Sequence, residues 1–239
     1  MHDLRNLGGS CASYVPFRFD EIDRVPDSRG IYAWYHRITI PDTDVRAVEA
    51  KLGALDQSET TARAQIIRDF LASHVFGPLR ETPYNVAIRG PLKPNYEGKL
   101  SYQPPEANDL VNKLAATPTS LSALVAVLRN SVPFFSSPIY IGVARRSLRT
   151  RLGQHAKLLS QLRESRSRSG HPDTPVSEMR FADEESARDH SFAYDAIVHR
   201  GLSPLDLLVY ILEIDFAPDI ALAAEHLLNR INYPLCGRN

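Results

Sequence analysis

The chain has 239 residues, of which 43% are hydrophobic and 23% charged, and its 28 basic side chains equal its 28 acidic ones. This composition is that of a globular protein and excludes a disordered one. The formal net charge is zero, so the overall charge of the protein would not attract a polyanion such as DNA. No segment approaches the roughly 20 apolar residues of a membrane span, and no signal-peptide pattern is present, so we expect a soluble, cytoplasmic protein with no membrane partner.

The first part of the chain predicts an irregular lead-in over residues 1–27, because it contains two prolines and many polar residues. A strand is expected at about 28–40, where aromatic and β-branched residues dominate. A helical stretch follows at about 44–76, with a break near 57–58. One face of this stretch is predicted to contain Ala62, Ile66, Phe70 and His74.

The middle of the chain is rich in proline, glycine and tyrosine over residues 77–108, which predicts a hairpin with loops. A helix is expected at about 119–130, and Pro133 is expected to end it. A second strand follows at 139–143, and a helix at about 147–164.

The last part predicts a serine- and arginine-rich loop at 163–175, a helix over 184–200 and a buried strand over 206–214. The final helix is expected at 217–232, starting at Pro218 and stopped by Pro234. The order of strands and helices indicates an α+β fold with a small central sheet.

Two strand-like segments, "GIY" and "YIG", each place a tyrosine close to a glycine. Successive side chains of a strand point to opposite faces, so Tyr32 points to the face away from Ile31, and Tyr140 points to the face away from Ile141. If the two strands pair, the isoleucines can enter the core while the two tyrosines project together. Either tyrosine alone is more typical of ordinary strand packing.

The helix after "YIG" carries two polar residues towards its apolar side. This stripe contains Leu148, Leu152, Leu159 and Leu162. His155 falls inside the stripe and Arg151 at its margin, one turn apart, whereas Arg149 and Lys157 point to solvent. Because burying such groups without a partner is costly, they indicate either a buried salt bridge or a phosphate-binding arginine beside a histidine donor.

The final helix supplies a carboxylate. Its predicted apolar face contains Ile220, Ala224, Leu227, Leu228 and Ile231. Glu225 is expected at the edge of this face, where a metal-binding glutamate could face a cleft. The alternative is a partly exposed glutamate paired with an arginine such as Arg230.

Together these features resemble the GIY-YIG nuclease superfamily, in a restriction-endonuclease-like form with a large insertion between its two motifs. The matching elements stand in the family's order: "GIY" at 30–32, "YIG" at 140–142, Arg151 with His155, and Glu225 in "AAEHLLNRINYPLCGRN". The resemblance covers residues 28–36 and 137–239. It implies a small central antiparallel sheet flanked by helices, with residues 37–136 as a mostly helical inserted subdomain after the first strand.

The resemblance also implies an activity: metal-dependent hydrolysis of DNA phosphodiester bonds by an endonuclease, with restriction or defence as the expected role. By this carry-over, Tyr32 is the candidate general base, and Tyr140 orients the water or the phosphate. Arg151 would clamp the scissile phosphate, and His155 would donate to a phosphate oxygen or shuttle a proton.

The same resemblance assigns Glu225 as the ligand of one Mg²⁺ or Mn²⁺ per active site. The family's C-terminal asparagine maps to Asn239, with Asn232 as the alternative. Two features depart from the family pattern. Residues 33–139, 107 in all, separate the motifs where most members have a tight hairpin, and the lysine often found after "YIG" is missing.

Local charge agrees with a nucleic-acid partner, because residues 145–168 contain eight basic residues and one acidic residue. Such a stripe provides salt-dependent phosphate contacts, although a solvated helix face would look the same. The predicted DNA-contacting residues are Arg145, Arg146, Arg149 and Lys157. Any base reading is expected from segment 84–102, and duplex cleavage by one site per chain favours a homodimer.

Two other functions remain open. One is a catalytically inactive nucleic-acid-binding or interaction protein on the same fold, and the other is a structure-specific DNA repair nuclease. The complete set of two tyrosines, arginine, histidine and glutamate favours the active endonuclease. No appended helix-hairpin-helix or zinc-finger pattern supports the repair enzyme.

Overall fold

The computed structural model describes residues 11–12, 16–79, 83–90, 93–101, 108–117, 119–169, 190–214 and 218–236. Its strands are β1 (Cys11–Ala12), β2 (Phe17–Arg18), β3 (Gly30–His36), β4 (Tyr84–Gly90), β5 (Lys93–Leu100), β6 (Tyr140–Ala144) and β7 (Leu207–Glu213). Its helices are α1 (Asp42–Gly53), α2 (Thr60–Leu71), α3 (Gly77–Leu79), α4 (Asn108–Ala116), α5 (Ser120–Phe135), α6 (Leu148–Ser169), α7 (190–194) and α8 (Pro218–Asn232).

Short helical turns complete these elements. A π-helical turn, Ala72–Phe76, links α2 to α3, and a second one, Asp195–His199, follows α7. One 3₁₀ turn, Phe19–Arg24, follows β2, and another, Pro204–Asp206, precedes β7. Within the described residues, no helix is both long enough and apolar enough to cross a membrane.

The chain divides into two compact units. The sheet unit comprises Met1–Ile38 and Arg129–Asn239, and the inserted unit comprises Thr39–Leu128. The predicted insertion ended at residue 136, whereas this division falls inside α5.

The sheet of the sheet unit is antiparallel and has the strand order β1-β7-β3-β6, with β2 also paired to β7. Strands β3 and β6 are therefore neighbours, with Tyr32 opposite Gly142 and Trp34 opposite Tyr140. A long connection does not prevent this pairing, because the entropy cost of closing a loop grows only slowly with its length. The predicted α+β fold with a small antiparallel sheet flanked by helices is confirmed.

Both faces of this sheet are buried. On one face, Tyr32 and Trp34 join the core formed with Leu148, Leu152 and Leu159 of α6. On the other face, Ile31, Ile141 and Val143 pack with residues of α8, including Ala221. The alternation predicted for β3 is confirmed, and so is the separation of Tyr140 from Ile141, with the tyrosines on the α6 face. The prediction that Ile139 shares the face of Ile141 is wrong, because Ile139 precedes β6 and packs in the core with Tyr140.

The inserted unit contains an arginine that sequence periodicity did not select. Ala62, predicted on the apolar face of the α2 region, is exposed, whereas Arg63 is only 2% exposed. The Arg63 guanidinium donates to the carbonyl oxygens of Leu52, Leu55 and Ala115, at the ends of α1 and α4. Carbonyl oxygens at the end of a helix accept no hydrogen bond from a following helical turn, so they are available to accept from the buried Arg63 side chain.

Two helix ends differ from expectation. Helix α5 continues through Pro133 to Phe135, so the prediction that Pro133 ends it is wrong. A proline lacks one backbone donor and disfavours the helix, but it does not forbid a helix from continuing for a further two residues. Helix α6 continues to Ser169, so the first part of the predicted loop at 163–175 is helical, and the remainder lies outside the described residues.

Candidate active site

Three of the predicted site residues meet on the α6 face of the sheet. The Tyr32 hydroxyl lies 3.1 Å from Nε2 of His155. The ring of Tyr140 lies 6.2 Å from that of Tyr32 and 5.4 Å from that of His155, measured between centroids. The pairing of β3 with β6 makes the two tyrosines diagonal neighbours, and α6 packs across both strands with its histidine towards them.

An aromatic enclosure surrounds this cluster, and sequence reasoning missed it. The indole of Trp34 stacks parallel to the His155 ring at 6.3 Å, and Phe192 of α7 lies 5.3 Å from His155 and 4.6 Å from Tyr140. His155 is fully buried and Tyr32 is 1% exposed. The alternation of β3 places Trp34 on the face of Tyr32 and could have indicated its part, but nothing near Phe192 in the sequence could have indicated its contact.

Gly142 leaves the space that the tyrosines occupy. A methyl group placed on Gly142 would lie 2.5 Å from the Tyr32 hydroxyl oxygen and 2.8 Å from Cε1 of Tyr140. Both distances are far below an ordinary van der Waals contact, so a larger residue cannot be accepted without moving a tyrosine. The glycine of "YIG" is thus required by side-chain packing across the strand pair.

Arg151 lies one turn before His155 on the same side of α6, and its side chain is half-buried. The α6 stripe was correctly predicted, since Leu148, Leu152, His155 and Leu159 are all fully buried. Arg151 is the most exposed of the four residues Tyr32, Tyr140, Arg151 and His155. A charged group at the margin of a buried aromatic cluster is where an anion could approach.

Glu225 is carried by α8, on the opposite face of the sheet. Its side chain is 6% exposed, whereas Ile220, Leu227 and Ile231 are 58%, 60% and 71% exposed. The predicted apolar face of α8 is therefore wrong for these three residues, and Glu225 lies on the buried face instead of at its edge. Ala221 is buried on that face, and Leu222, Ala224 and Leu228 of the same helix pack against the same cluster.

The segment after α8 passes around the edge of the sheet. The amide of Cys236 donates to the Ile139 carbonyl at 2.7 Å, and the amide of Leu235 donates to the Pro138 carbonyl. Strand β6 is the edge strand among those described, and Cys236 packs in the core on the α6 face. The chain therefore runs from the face of Glu225 to the face of the tyrosines.

Of the two asparagines predicted as candidates for the site, Asn232 and Asn239, the structure describes only Asn232. Asn232 is half-buried, and its side-chain amide donates to the Leu228 carbonyl at 3.0 Å within α8. Asn239 lies outside the described residues, three positions after Cys236.

A buried ion pair supports the same C-terminal segment. The Arg200 side chain is 2% exposed, with Nε 3.7 Å from the Asp195 carboxylate, and its Nη2 donates to the Leu235 carbonyl at 3.0 Å. Burial raises the pKa of the Cys236 thiol, and the Asp195 carboxylate raises it further, while Arg200 opposes both. The thiol is therefore protonated and shielded, as expected for a structural cysteine.

The predicted DNA-contacting residues are all exposed. Arg145 and Arg146 lie in the turn between β6 and α6, and Lys157 lies on the solvent side of α6. Arg149 is exposed too, but its Nε donates to the Val25 carbonyl at 2.7 Å, so part of its hydrogen-bonding capacity holds the 3₁₀ turn that precedes β3. Arg166, in the same basic stretch, donates to the Ile197 carbonyl.

One further histidine lies on the tyrosine face of β3. His36 is 6% exposed, and burial lowers its pKa to about 4, with Asp206 opposing and Arg37 assisting the shift. His36 therefore stays neutral at physiological pH.

Within the described part of the chain, no three side chains of His, Cys, Asp or Glu are grouped so that they could hold a metal ion. Compared with protein-family models, with curated proteins and with solved structures, the chain matches none.

Proposed function

We propose that this protein is a metal-dependent endonuclease that hydrolyses phosphodiester bonds in duplex DNA through a GIY-YIG type of site. The observation that carries the proposal is the 3.1 Å contact between the Tyr32 hydroxyl and His155 Nε2, with Tyr140 beside it. A tyrosine that acts as a general base needs a partner for its own proton, and this contact supplies one.

The proposed proton path starts at the attacking water. An ordinary tyrosine hydroxyl ionises only well above neutral pH, so Tyr32 needs help to accept a proton. The water gives a proton to the Tyr32 oxygen while the Tyr32 proton passes to Nε2 of His155. This path requires the neutral histidine tautomer with its proton on Nδ1, so that Nε2 accepts the hydrogen bond.

The remaining steps concern the phosphate. The water oxygen bonds to phosphorus, the bond from phosphorus to the leaving sugar oxygen breaks, and that oxygen takes a proton from solvent. In this proposal Arg151 holds the scissile phosphate, and its half-buried position one turn from His155 supports that role. Tyr140 orients the phosphate from its position next to both rings.

Glu225 fits the role of a magnesium or manganese ligand in one respect, because its carboxylate is the hard oxygen donor that these cations prefer. With no group of three potential ligands among the described residues, such a site would have one protein carboxylate and otherwise water and phosphate oxygens. When bound, the cation would neutralise charge on the phosphate oxygens. Glu225 lies on the face of the sheet opposite to the tyrosine cluster, so the proposal requires the phosphate and the cation to meet it at the edge of the sheet.

The proposed partner is duplex DNA, because exposed positive charge adjoins the cluster. Arg145 and Arg146 directly follow β6, which carries Tyr140, and only Ser147 separates them from α6, which carries Arg151. Contacts of this kind hold phosphates without reading sequence. The inserted unit adds a large accessory element to the nuclease unit, which favours a restriction or defence role.

Plasmid cleavage tests the proposal. We expect the wild type to nick or linearise DNA with Mg²⁺ or Mn²⁺ and to lose this activity with a chelator. Glu225→Gln and Arg151→Gln should each lower the single-turnover rate at least about 100-fold, by loss of electrostatic stabilisation. Glu164→Gln, at an exposed position of α6, and Arg46→Gln, at an exposed position of α1, make the same changes and should leave the rate unchanged.

A folded wild type that cleaves neither DNA nor RNA with any divalent cation, yet binds nucleic acid, would reject the enzyme in favour of the inactive binding protein. Cleavage restricted to branched or flapped DNA would favour the repair nuclease. Rates that are equal in Glu225→Gln and the wild type would remove Glu225 from the site.

A further inference from the structure

We propose that the ribbon formed by β4 and β5 reads base sequence in the major groove of duplex DNA, using the face that carries Asn85 and Lys99. This inference rests on the proposed function, because it names the element that would select the nuclease's sites. The two strands form a separate two-stranded sheet in the inserted unit.

The ribbon is open to a partner on both faces. Residues 85, 87–90 and 96–100 are exposed, and Val86 is half-buried. A two-stranded hairpin by itself is marginally stable in water, so a ribbon that pairs with no other described strand gains from an external contact. The question is which kind of partner its side chains fit.

The register of the ribbon sorts its side chains into two sets. Asn85 is directly opposite Lys99, and Ala87 is directly opposite Glu97, so these four residues share one face. Their types are those that read base edges: asparagine pairs with adenine, lysine with guanine, glutamate with the cytosine amino group, and a small apolar residue with the thymine methyl. Directly opposed side chains also lie close enough to act on one base step.

Charge and size agree with a groove. Segment 84–100 contains three basic residues and one acidic residue, in a protein of zero formal net charge. Arg89 lies where the register shifts between Ile88 and Gly90, and such bulges redirect side chains. Strands of this length extend roughly 25 Å, and a two-stranded ribbon fits the major groove, which is about 12 Å wide.

The opposite face is apolar and would point away from the bases. Ile88 and Tyr96 are directly opposite each other and are 61% and 58% exposed. A protein partner would use this face, whereas DNA would use the face of Asn85 and Lys99. The base-reading residue types of the face of Asn85 and Lys99, and the excess of basic over acidic residues in segment 84–100, favour DNA.

The experiment selects binding sites with the full-length chain. A library of duplexes with a random 20-base-pair centre is incubated with protein in EDTA, so that no cation is available for cleavage, and the retained duplexes are sequenced. The proteins compared are the wild type, the double variant Asn85→Ala/Lys99→Ala, and Lys51→Ala as a single charge change at an exposed position of α1. The ribbon side chains are exposed, so thermal unfolding should be the same for all three.

We expect the wild type to retain a defined sequence and the double variant to lose preference by roughly 5- to 150-fold at each contacted base pair. Lys51→Ala should retain the wild-type sequence. Identical preferences in the wild type and the double variant would overturn the proposal. So would a wild type without preference, or a loss of preference or of self-association in Ile88→Ser/Tyr96→Ser alone, which would assign the ribbon to a protein partner.

The two proposals fail separately. Cleavage by the wild type at sites that the double variant also cuts equally would reject the ribbon as the reading element and leave the nuclease. Selective binding by the ribbon without cleavage at any Mg²⁺ or Mn²⁺ concentration would reject the nuclease and leave the ribbon as a DNA reader.

Discussion

Tyr32 and His155 come from β3 and α6, 123 positions apart, and meet through a single buried contact of 3.1 Å between hydroxyl and imidazole. Neither residue is open to solvent, so the contact is preorganised by packing and does not depend on a surface side chain finding its partner. Such a pair can pass a proton with little rearrangement, which is what a tyrosine base requires.

The first prediction concerns this pair. Tyr32→Phe keeps the ring but removes the hydrogen bond to the buried His155 Nε2, so stability should fall by about 1–3 kcal/mol. Single-turnover cleavage should fall by about 100-fold or more, as for loss of a general base. His155→Asn should cause a similar loss, and the double variant should be no slower than the slower single variant, because the two residues would act as a unit.

Tyr35→Phe is the matched control for Tyr32→Phe. Tyr35 lies on the other face of the same strand, half-buried, with its ring 5.2 Å from that of Tyr210. Its loss of a hydroxyl should leave cleavage unchanged. If Tyr32→Phe cleaves as fast as Tyr35→Phe, the cluster is structural and the proton path is wrong.

The second prediction concerns Gly142. Gly142→Ala would place a methyl group 2.5 Å from the Tyr32 oxygen, and relieving that overlap should cost about 1–3 kcal/mol of unfolding free energy and displace a tyrosine. Gly153→Ala adds the same methyl group to α6 where nothing lies within 4 Å, and should instead stabilise the protein by about 0.5–1 kcal/mol. Urea denaturation compares the two, and effects of the same sign would contradict the packing described around Gly142.

The third prediction concerns pH. His36 has a folded-state pKa of about 4 and an ordinary unfolded value, so the unfolded chain binds the extra proton first as pH falls. Stability should therefore decrease as pH falls from about 6.5 to about 4, by an amount on the order of 3 kcal/mol at most. His36→Leu should flatten this part of the profile, measured by denaturation at several pH values.

His226→Gln, at an exposed position of α8, should keep the wild-type slope. An unchanged slope in His36→Leu would mean that His36 is not the group responsible.

Sequence patterns correctly predicted the buried side of those strands and helices in which the repeat of hydrophobic residues coincides with the side that packs against the core. The period-2 alternation of β3 placed Tyr32 apart from Ile31, and the helical period of α6 placed His155 with the buried leucines. Each pattern depends only on which side of a single strand or helix faces the neighbouring layer of the fold, so it can be recognised from the sequence alone.

The rest depends on tertiary choices that no local pattern contains. Helix α8 buries Ala221 and Glu225 and exposes Ile220 and Leu227, so the side of the helix that meets the sheet is set by tertiary packing and not by its hydrophobic period. Phe192 contacts His155 and Tyr140 because the tertiary fold packs α7 against them, and no periodicity of the sequence around Phe192 indicates this contact. Arg63 is buried because helix-end carbonyls accept its protons, an arrangement of three separate segments.

The fourth prediction concerns Arg63 in the inserted unit. Arg63→Met leaves the buried carbonyls of Leu52 and Ala115 without their donor, which should cost about 2–4 kcal/mol. Arg63→Lys should recover only part of this, because one ammonium group lacks the fork that reaches both helix ends. Limited proteolysis of the inserted unit and urea denaturation report the loss.

Arg68→Met is the control on the same helix, since Arg68 is exposed and its guanidinium donates to the side-chain oxygen of Asn108 at the surface. Equal effects at the two positions would show that Arg63 does not hold the helix ends together.

The fifth prediction concerns the C-terminal segment at the edge of β6. Arg200→Met removes the donor to the Leu235 carbonyl and the partner of Asp195, so it should cost about 3 kcal/mol and loosen the segment that carries Cys236. In a Cys11→Ser background, a thiol reagent should label Cys236 very slowly in the folded protein, because burial both shields the thiol and raises its pKa. Labelling should accelerate strongly in Arg200→Met at denaturant concentrations where the fold persists, since local opening then exposes the sulfur. A labelling rate unaffected by this change would mean that the backbone bonds from Leu235 and Cys236 to β6 hold the segment without help from the ion pair.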